Sequence, residues 1–185
     1  MFVSGFTIVR NAIKYDYPIR EAIGSILPLC DELVVAVGAS EDDTLNLIKS
    51  IDSPKIKIIE TVWDESLREG GKVLADETNK ALNACNPDAD WCFYIQGDEV
   101  IHEKFHPTLK ATMEQWKDTP KVEGLVFKYL HFYGSYDFVG DSRKWYRHEV
   151  RIIRRNQGLY SFRDAQGFQK NGRPPRVKAV DAHVY

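Results

Sequence analysis

The sequence predicts an α/β fold: a mostly parallel sheet between two layers of helices, a three-layer α/β/α sandwich with a mixed C-terminal part. Two observations predict it. Apolar runs such as "ELVVAVG" (Glu32 to Gly38) and "DWCFYIQ" (Asp90 to Gln96) have the continuous hydrophobicity of strands buried on both faces. Between such runs lie segments with apolar residues at helical spacing, and strand and helix alternate four times before Glu99.

Taken in order, "FVSGFTIVR" (Phe2 to Arg10) reads as the first strand. In "YPIREAIGSILPLC", Ile19, Ala22, Ile23, Ile26 and Leu27 share one helical face, and Pro18 suits the first turn. After Gly38, Ser40 precedes acids and then Leu45, Ile48 and Ile51, the pattern of an N-capped second helix. "KIKIIET" (Lys55 to Thr61) is a third strand, and "EGGKVLADETNKALNAC" a long, partly polar helix leading to the fourth. Beyond Glu99 one more helix is expected from His106 to Asp118. The β-like segments "VEGLVFKYLHFYG", "HEVRIIRR" and "RVKAVDAHVY" follow it. No Pro-, Gly- or Ser-rich linker and no internal repeat intervenes, so residues 1–185 are expected to form one domain.

Composition narrows the class. The chain is 43% hydrophobic and 28% charged, ordinary for a globular domain. Lys and Arg number 25 against 27 acids, a net charge of -2, which argues against a nucleic-acid footprint over the whole surface. Basic residues nonetheless crowd Arg143 to Arg155 and Lys170 to Lys178. Cys30, Cys85 and Cys92 are too few and scattered for a disulfide framework or a metal knuckle, and read as small buried hydrophobes in a reducing compartment. The first residues lack a basic leader pattern and no run reaches membrane-span length, so a cytoplasmic protein without a transmembrane segment is expected.

The stretch "DWCFYIQGDEVIH" carries the sharpest question. An apolar strand runs into Gln96, Gly97 and two adjacent acids, residues that strand interiors disfavour. Two other strands also end in polar residues: Arg10 and Asn11 after the first, Gly38, Ser40, Glu41, Asp42 and Asp43 after the second. In an open α/β sheet all would lie along the carboxyl edge, where ligands bind. No Gly-x-Gly-x-x-Gly or P-loop pattern supplies a phosphate cradle. A pyrophosphate would then need another positive element, and Mg2+ or Mn2+ held by carboxylate oxygens is one.

The order "TIVRN … DELVVAVGASEDDT … ETNKALNA … DWCFYIQGDEVI" resembles the family 2 type glycosyltransferases of the GT-A fold, from Thr7 to about Ile101. The resemblance implies residues 1–101 as a nucleotide-binding half and 102–185 as an acceptor-side half. It implies transfer of a sugar, with inversion, from a nucleoside-diphosphate sugar to a glycan or other small acceptor, with Mn2+ or Mg2+ as cofactor. Asp98 matches the last Asp of the Asp-x-Asp metal motif, Glu99 the acid often following it, and His183 in "DAHVY" a C-terminal metal ligand. Arg10, Asn11, Gly38, Ser40, Asp42, Asn79, Gln96 and Gly97 fall on nucleotide-binding positions, and Thr44 on the closing Thr of the second loop. Gln96 stands where the motif has its first Asp, and Val37 where a uracil-contacting Asp is usual. Asp164 in "YSFRDAQGF" is the expected catalytic base, with Glu149 its competitor.

Blander readings stand beside these. His183 reads equally as a surface strand residue. The aromatics of "YLHFYGSYDF" read as core and β-surface or as a sugar platform, and the run Arg143 to Arg155 as a solvated strand face or a grip on an anionic acceptor. A catalytically silent nucleotide- or glycan-binding module is the alternative function. A nucleotidyltransferase is disfavoured, because no Gly-rich loop bearing Arg or Lys follows the first strand.

Overall fold

The computed structural model describes residues 1–185. Strands β1 (Val3–Val9), β2 (Glu32–Gly38) and β3 (Ile56–Thr61) pair in parallel and step outward, joined by helices α1 (Ile19–Ile26) and α2 (Thr44–Lys49). The chain then returns through α3 (Lys72–Ala84) to lay β4 (Trp91–Tyr94) on the other side of β1, also parallel. Helix α4 (His106–Trp116) leads to β5 (Gly124–Tyr129), a projecting hairpin of β6 (Phe132–Tyr133) and β7 (Ser135–Val139), and β8 (His148–Arg154). A second hairpin, β9 (Tyr160–Phe162) with β10 (Gly167–Gln169), precedes β11 (Val177–Val184).

The main sheet has seven strands in the order β11-β5-β8-β4-β1-β2-β3. Only β8 runs against the rest, being antiparallel to both β4 and β5, while β5 and β11 are parallel. This is the expected mostly parallel sheet with a mixed C-terminal part. Helices α1, α2 and α4 cover one face, packing with Trp91, Phe93, Leu125 and Phe127 in the larger core. Helix α3 and the β9–β10 hairpin cover the other, around Phe6, Cys92, Tyr94 and Phe168. Burying a side chain such as Phe6 or Phe93 completely contributes about 1.5–3 kcal/mol each.

Local chemistry shifts some boundaries. The second helix begins at Thr44 rather than after Ser40, because the Ser40 hydroxyl accepts the Asn11 amide (3.0 Å) and donates to the Gly38 carbonyl (2.8 Å). Helix α3 begins at Lys72, since Gly70 and Gly71 both adopt positive φ. All three cysteines are buried and free, as expected for small hydrophobes. No helix is long and apolar enough to cross a membrane.

The basic runs are partly consumed by the fold, although Arg143, Lys144 and Arg147 stay exposed. Arg151 and Arg154 are buried, the first against Glu99 and the second against the carbonyls of Val122 and Thr119 and the Trp91 ring. Lys170, Arg173 and Arg176 converge on the buried carboxylate of Glu123, at 3.3, 2.7 and 3.2 Å. Arg173 foremost, then the other donors, hold Glu123 well below the usual carboxylate range.

Candidate functional site

Helices α1 and α2 lie on one face and α3 on the other, so the winding direction reverses between β1 and β4. Ligands in open α/β sheets bind outside the carboxyl ends of the strands at such a reversal. A cavity of about 490 Å³ opens there, its floor made by Val9, Arg10 and Asn11 at the end of β1 and by Tyr94, Gln96 and Asp98 at the end of β4.

The turn after β4 separates the two acids. Glu99 points inward and is fully buried; its carboxylate accepts from the Gln96 amide at 3.0 Å, the Tyr129 hydroxyl at 2.8 Å and Arg151 Nε at 2.8 Å. Asp98 is left pointing out. It is solvent-exposed but sits in a concavity whose walls strip part of its hydration; this, with Glu99 next to it, lifts its pKa above the usual carboxylate value. Gln96 donates its side-chain amide to the Ala165 carbonyl at 3.2 Å, tying this turn to the β9–β10 hairpin.

That hairpin brings Asp164 to the cavity from the far half of the sequence. Arg163 and Ala165 flank it at φ 55 and 62, so the chain turns tightly about Asp164. The loop rests on Gly71 at the start of α3, where a Cβ would lie 2.9 Å from Asp164 Cα. Glu149, the competing candidate base, lines neither this cavity nor the second one described below. It sits on β8 with its carboxylate 3.7 Å from Arg151 Nη1. Burial pushes its pKa up to about 7, against the pull of Arg151.

The cationic groups that line the cavity are Arg10 and Arg68, and both reach Glu65. Arg10 donates to Glu65 at 2.8 Å and to the Ala39 carbonyl at 3.1 Å, and its guanidinium lies 5.4 Å from the centroid of the Trp63 ring. Trp63 Nε1 is buried without a hydrogen-bond partner. Its indole fits because Gly38 has no side chain, as a Cβ there would lie 2.3 Å from Nε1. Arg68, Trp63, Tyr15 and Tyr17 line the site but were not legible in the sequence, because they lie in aperiodic loops. The signal available was a Trp, an Arg and paired Gly residues crowded into one short stretch.

Other expected residues make hydrogen bonds within the protein. Asn11 lines the cavity, and its side chain accepts the Glu41 amide at 2.7 Å. Asp42 accepts from the Lys14 amide (2.8 Å) and from the Thr44 hydroxyl (2.5 Å), and Thr44 in turn accepts the Ala12 amide (2.7 Å). Gly38, Ser40 and Asp42 do not line this cavity but a separate one of about 400 Å³ beyond β2, and the hydrogen bonds of Ser40 and Asp42 clamp the β1 and β2 turns together. Asn79 is likewise engaged, exchanging two hydrogen bonds with the Ser161 backbone at 2.8 and 3.0 Å. Val37 is buried in the larger core.

His183 lines neither cavity. It lies between Phe105 and Tyr185, with ring centroids 5.7 and 6.0 Å away, and its Nδ1 is buried without a partner. Burial foremost, then Lys128, keeps it neutral to lower pH than usual. No group of three or more His, Cys, Asp or Glu side chains comes together as a metal cluster. Asp98 suits an Mg2+ or Mn2+ ion that takes its other ligands from water and a diphosphate. It does not suit a cation held by protein alone.

A second cavity, of about 920 Å³, lies beside the first, between the start of α1 and the carboxyl ends of β5 and β11. Asp98 is the only residue that lines both.

No family model matches the chain, and no curated protein sequence matches it. Among solved structures, S. aureus TarS 1-349 in complex with UDP-GlcNAc superposes with a TM-score of 0.54 and 22% identity, over 77% of this chain and 37% of that one. TarS 1-349 in complex with UDP gives the same TM-score over 38% of its length, so this chain spans well under half of that protein. 4-Diphosphocytidyl-2C-methyl-D-erythritol synthase from Anaerococcus prevotii also gives 0.54, at 14% identity, over 98% of this chain and 87% of that one. At these identities what is shared is the fold, and the chain has a GT-A-like α/β fold.

Proposed function

We propose that the protein transfers a sugar from a nucleoside-diphosphate sugar to an acceptor, with inversion. The observation that carries this reading is the junction at Asp98, where the switch-point cavity meets a second cavity large enough for another substrate. The superposition on TarS bound to UDP-GlcNAc supports it at the level of fold. The nucleotide would lie in the first cavity, its base against Trp63 and its phosphates toward Arg10 and Arg68, whose planar forks match phosphate oxygens. A divalent cation, when bound with the diphosphate, offsets its charge as it leaves. Asp98 would supply the protein oxygen for that ion. The acceptor oxygen reaches past Asp98 into the first cavity and attacks the anomeric carbon from the face opposite the diphosphate, the bond to the diphosphate breaks, and the acceptor proton passes to Asp164, which lines that cavity.

A second reading is nucleotidyl transfer, favoured by the near end-to-end superposition on the A. prevotii synthase. One experiment separates the readings: incubation with a panel of UDP- and GDP-sugars and Mn2+, and in parallel with nucleoside triphosphates and sugar phosphates. Release of nucleoside diphosphate supports sugar transfer. Pyrophosphate release supports the second reading, and nucleotide binding without turnover a silent module.

A further inference from the structure

The second cavity has a distinctive wall. Phe132 and Tyr185 stack with ring centroids 5.9 Å apart and planes within 12° of each other. Tyr185 is backed by His183 at 6.0 Å, and Tyr136 meets Phe132 edge-on at 5.4 Å. These rings form a row, yet Phe132 is 36% and Tyr136 86% exposed, surface that burial would favour covering. Aromatic faces held in this way bind the C–H faces of sugar rings or an organic cation.

The polar lining points the same way. Glu21, Glu103 and Asp98 face the cavity, and no Lys or Arg does. The histidine nitrogens are partly committed: His106 Nε2 pairs with the Ser25 carbonyl at 2.8 Å and His131 Nε2 with the Tyr146 carbonyl at 2.9 Å. Carboxylates accept hydrogen bonds from hydroxyl or ammonium groups, whereas an anion placed among them is repelled. Of the basic runs, Arg151 is held by Glu99 and the Lys170–Arg176 group by Glu123, and the exposed Arg143, Lys144 and Arg147 do not line the cavity.

We propose that the second cavity seats an uncharged or amine-bearing saccharide as the acceptor and rejects anionic ones. This rests on the sugar-transfer reading. The platform of Phe132 and Tyr185 holds a ring, Glu21 and Glu103 take its hydroxyl or ammonium hydrogens, and the reacting end lies toward Asp98.

The test titrates the whole chain with chitotetraose, with its fully de-N-acetylated form, and with tetragalacturonate, by calorimetry and ligand-observed NMR. The neutral and amine-bearing chains are expected to bind and the uronate not. Phe132→Ala and Tyr185→Ala should each weaken binding by about fivefold, as loss of one stacked ring predicts. The double change Glu21→Lys with Glu103→Lys should reverse the preference toward tetragalacturonate. Tighter uronate binding by the unaltered protein would overturn the proposal. So would saccharide binding indifferent to both aromatic changes, or no binding of the neutral and amine-bearing chains at millimolar concentration. Assaying UDP-sugar hydrolysis on the same preparations keeps the two readings apart. Hydrolysis without saccharide binding sinks the acceptor seat alone. Saccharide binding without nucleotide binding sinks sugar transfer and leaves the seat standing.

Discussion

Arg151 and Glu99 form an ion pair at 2.5 Å in which neither side chain is accessible to solvent. The Tyr129 hydroxyl and the Gln96 amide complete the hydrogen bonding of that carboxylate, so the pair is buried and satisfied. Removing one partner strands the other charge. Glu99→Gln is expected to cost about 3–5 kcal/mol of stability. Asp98→Asn, one residue away but solvent-facing, should stay within about 0.5 kcal/mol. Urea denaturation of the two variants measures the contrast, and similar losses would contradict it.

Asp98 should instead matter for ligand. Asp98→Asn keeps the shape but removes the charge that holds a cation, so Mn2+-dependent nucleotide binding should fall at least about tenfold, roughly 1.4 kcal/mol. Gln96→Ala should cost less, about 0.5–1.5 kcal/mol, because a neutral amide offers only a hydrogen bond. Burial and Glu99 raise the Asp98 pKa, so cation-linked binding should weaken on acidification at a higher pH than an ordinary carboxylate would give. Calorimetry at several pH values tests both parts.

The two candidate bases separate by position and by pH. Asp164→Asn should abolish most sugar transfer while leaving nucleotide binding intact, as Asp164 lines the cavity and Glu149 does not. Glu149 titrates near about 7 in the folded protein against an ordinary 4.5. A raised carboxyl pKa means the folded state binds more protons, so stability falls as pH rises from about 4.5 to about 7 and then levels. Glu149→Gln should therefore stabilise the protein at pH 8 by about 1–2 kcal/mol and hardly at all at pH 4, some residual solvent contact keeping the gain below the full shift. Melting curves at the two pH values decide it; equal gains at both would show the assignment to be wrong.

Glu65 bridges the two arginines where a diphosphate is proposed to lie. Arg10→Ala and Arg68→Ala should each weaken binding of UDP or GDP by about tenfold, a charge-assisted hydrogen bond being worth about 1.5–3 kcal/mol. Nucleotide binding near Trp63 should also change tryptophan fluorescence, and Trp63→Phe should remove most of that change. A signal unaffected by Trp63→Phe would put the base elsewhere.

Gly71 is expected to act as a positioning residue for Asp164. At φ 70, with the Asp164 backbone against it, it leaves no room for a methyl group. Gly71→Ala is expected to cost about 1–3 kcal/mol and to displace the Asp164 loop. Its distinguishing readout is a fall in kcat larger than any change in nucleotide affinity, with Gly70→Ala as a control at a position with open space.

The alternation of apolar runs with helical patterns was enough to reveal the strands β1 to β4, their helices and the carboxyl edge on which Arg10, Asn11 and Asp98 meet. Those are local properties: side-chain period and burial on one or both faces are written into consecutive residues. Adjacency alone could not say which of Asp98 and Glu99 faces solvent, because that depends on Arg151, far along the chain, reaching back to claim Glu99. The same holds for Asp42, Ser40 and Asn79, whose types fit a ligand site but whose hydrogen bonds go to neighbouring backbone. Within the basic C-terminal runs, Arg151 and the Lys170–Arg176 group looked available for an anion until the fold brought Glu99 and Glu123 beneath them. Charge is legible in a sequence, but its partner is not: an ion pair forms across whatever distance the topology closes, and only the folded chain decides which groups are left to bind anything else.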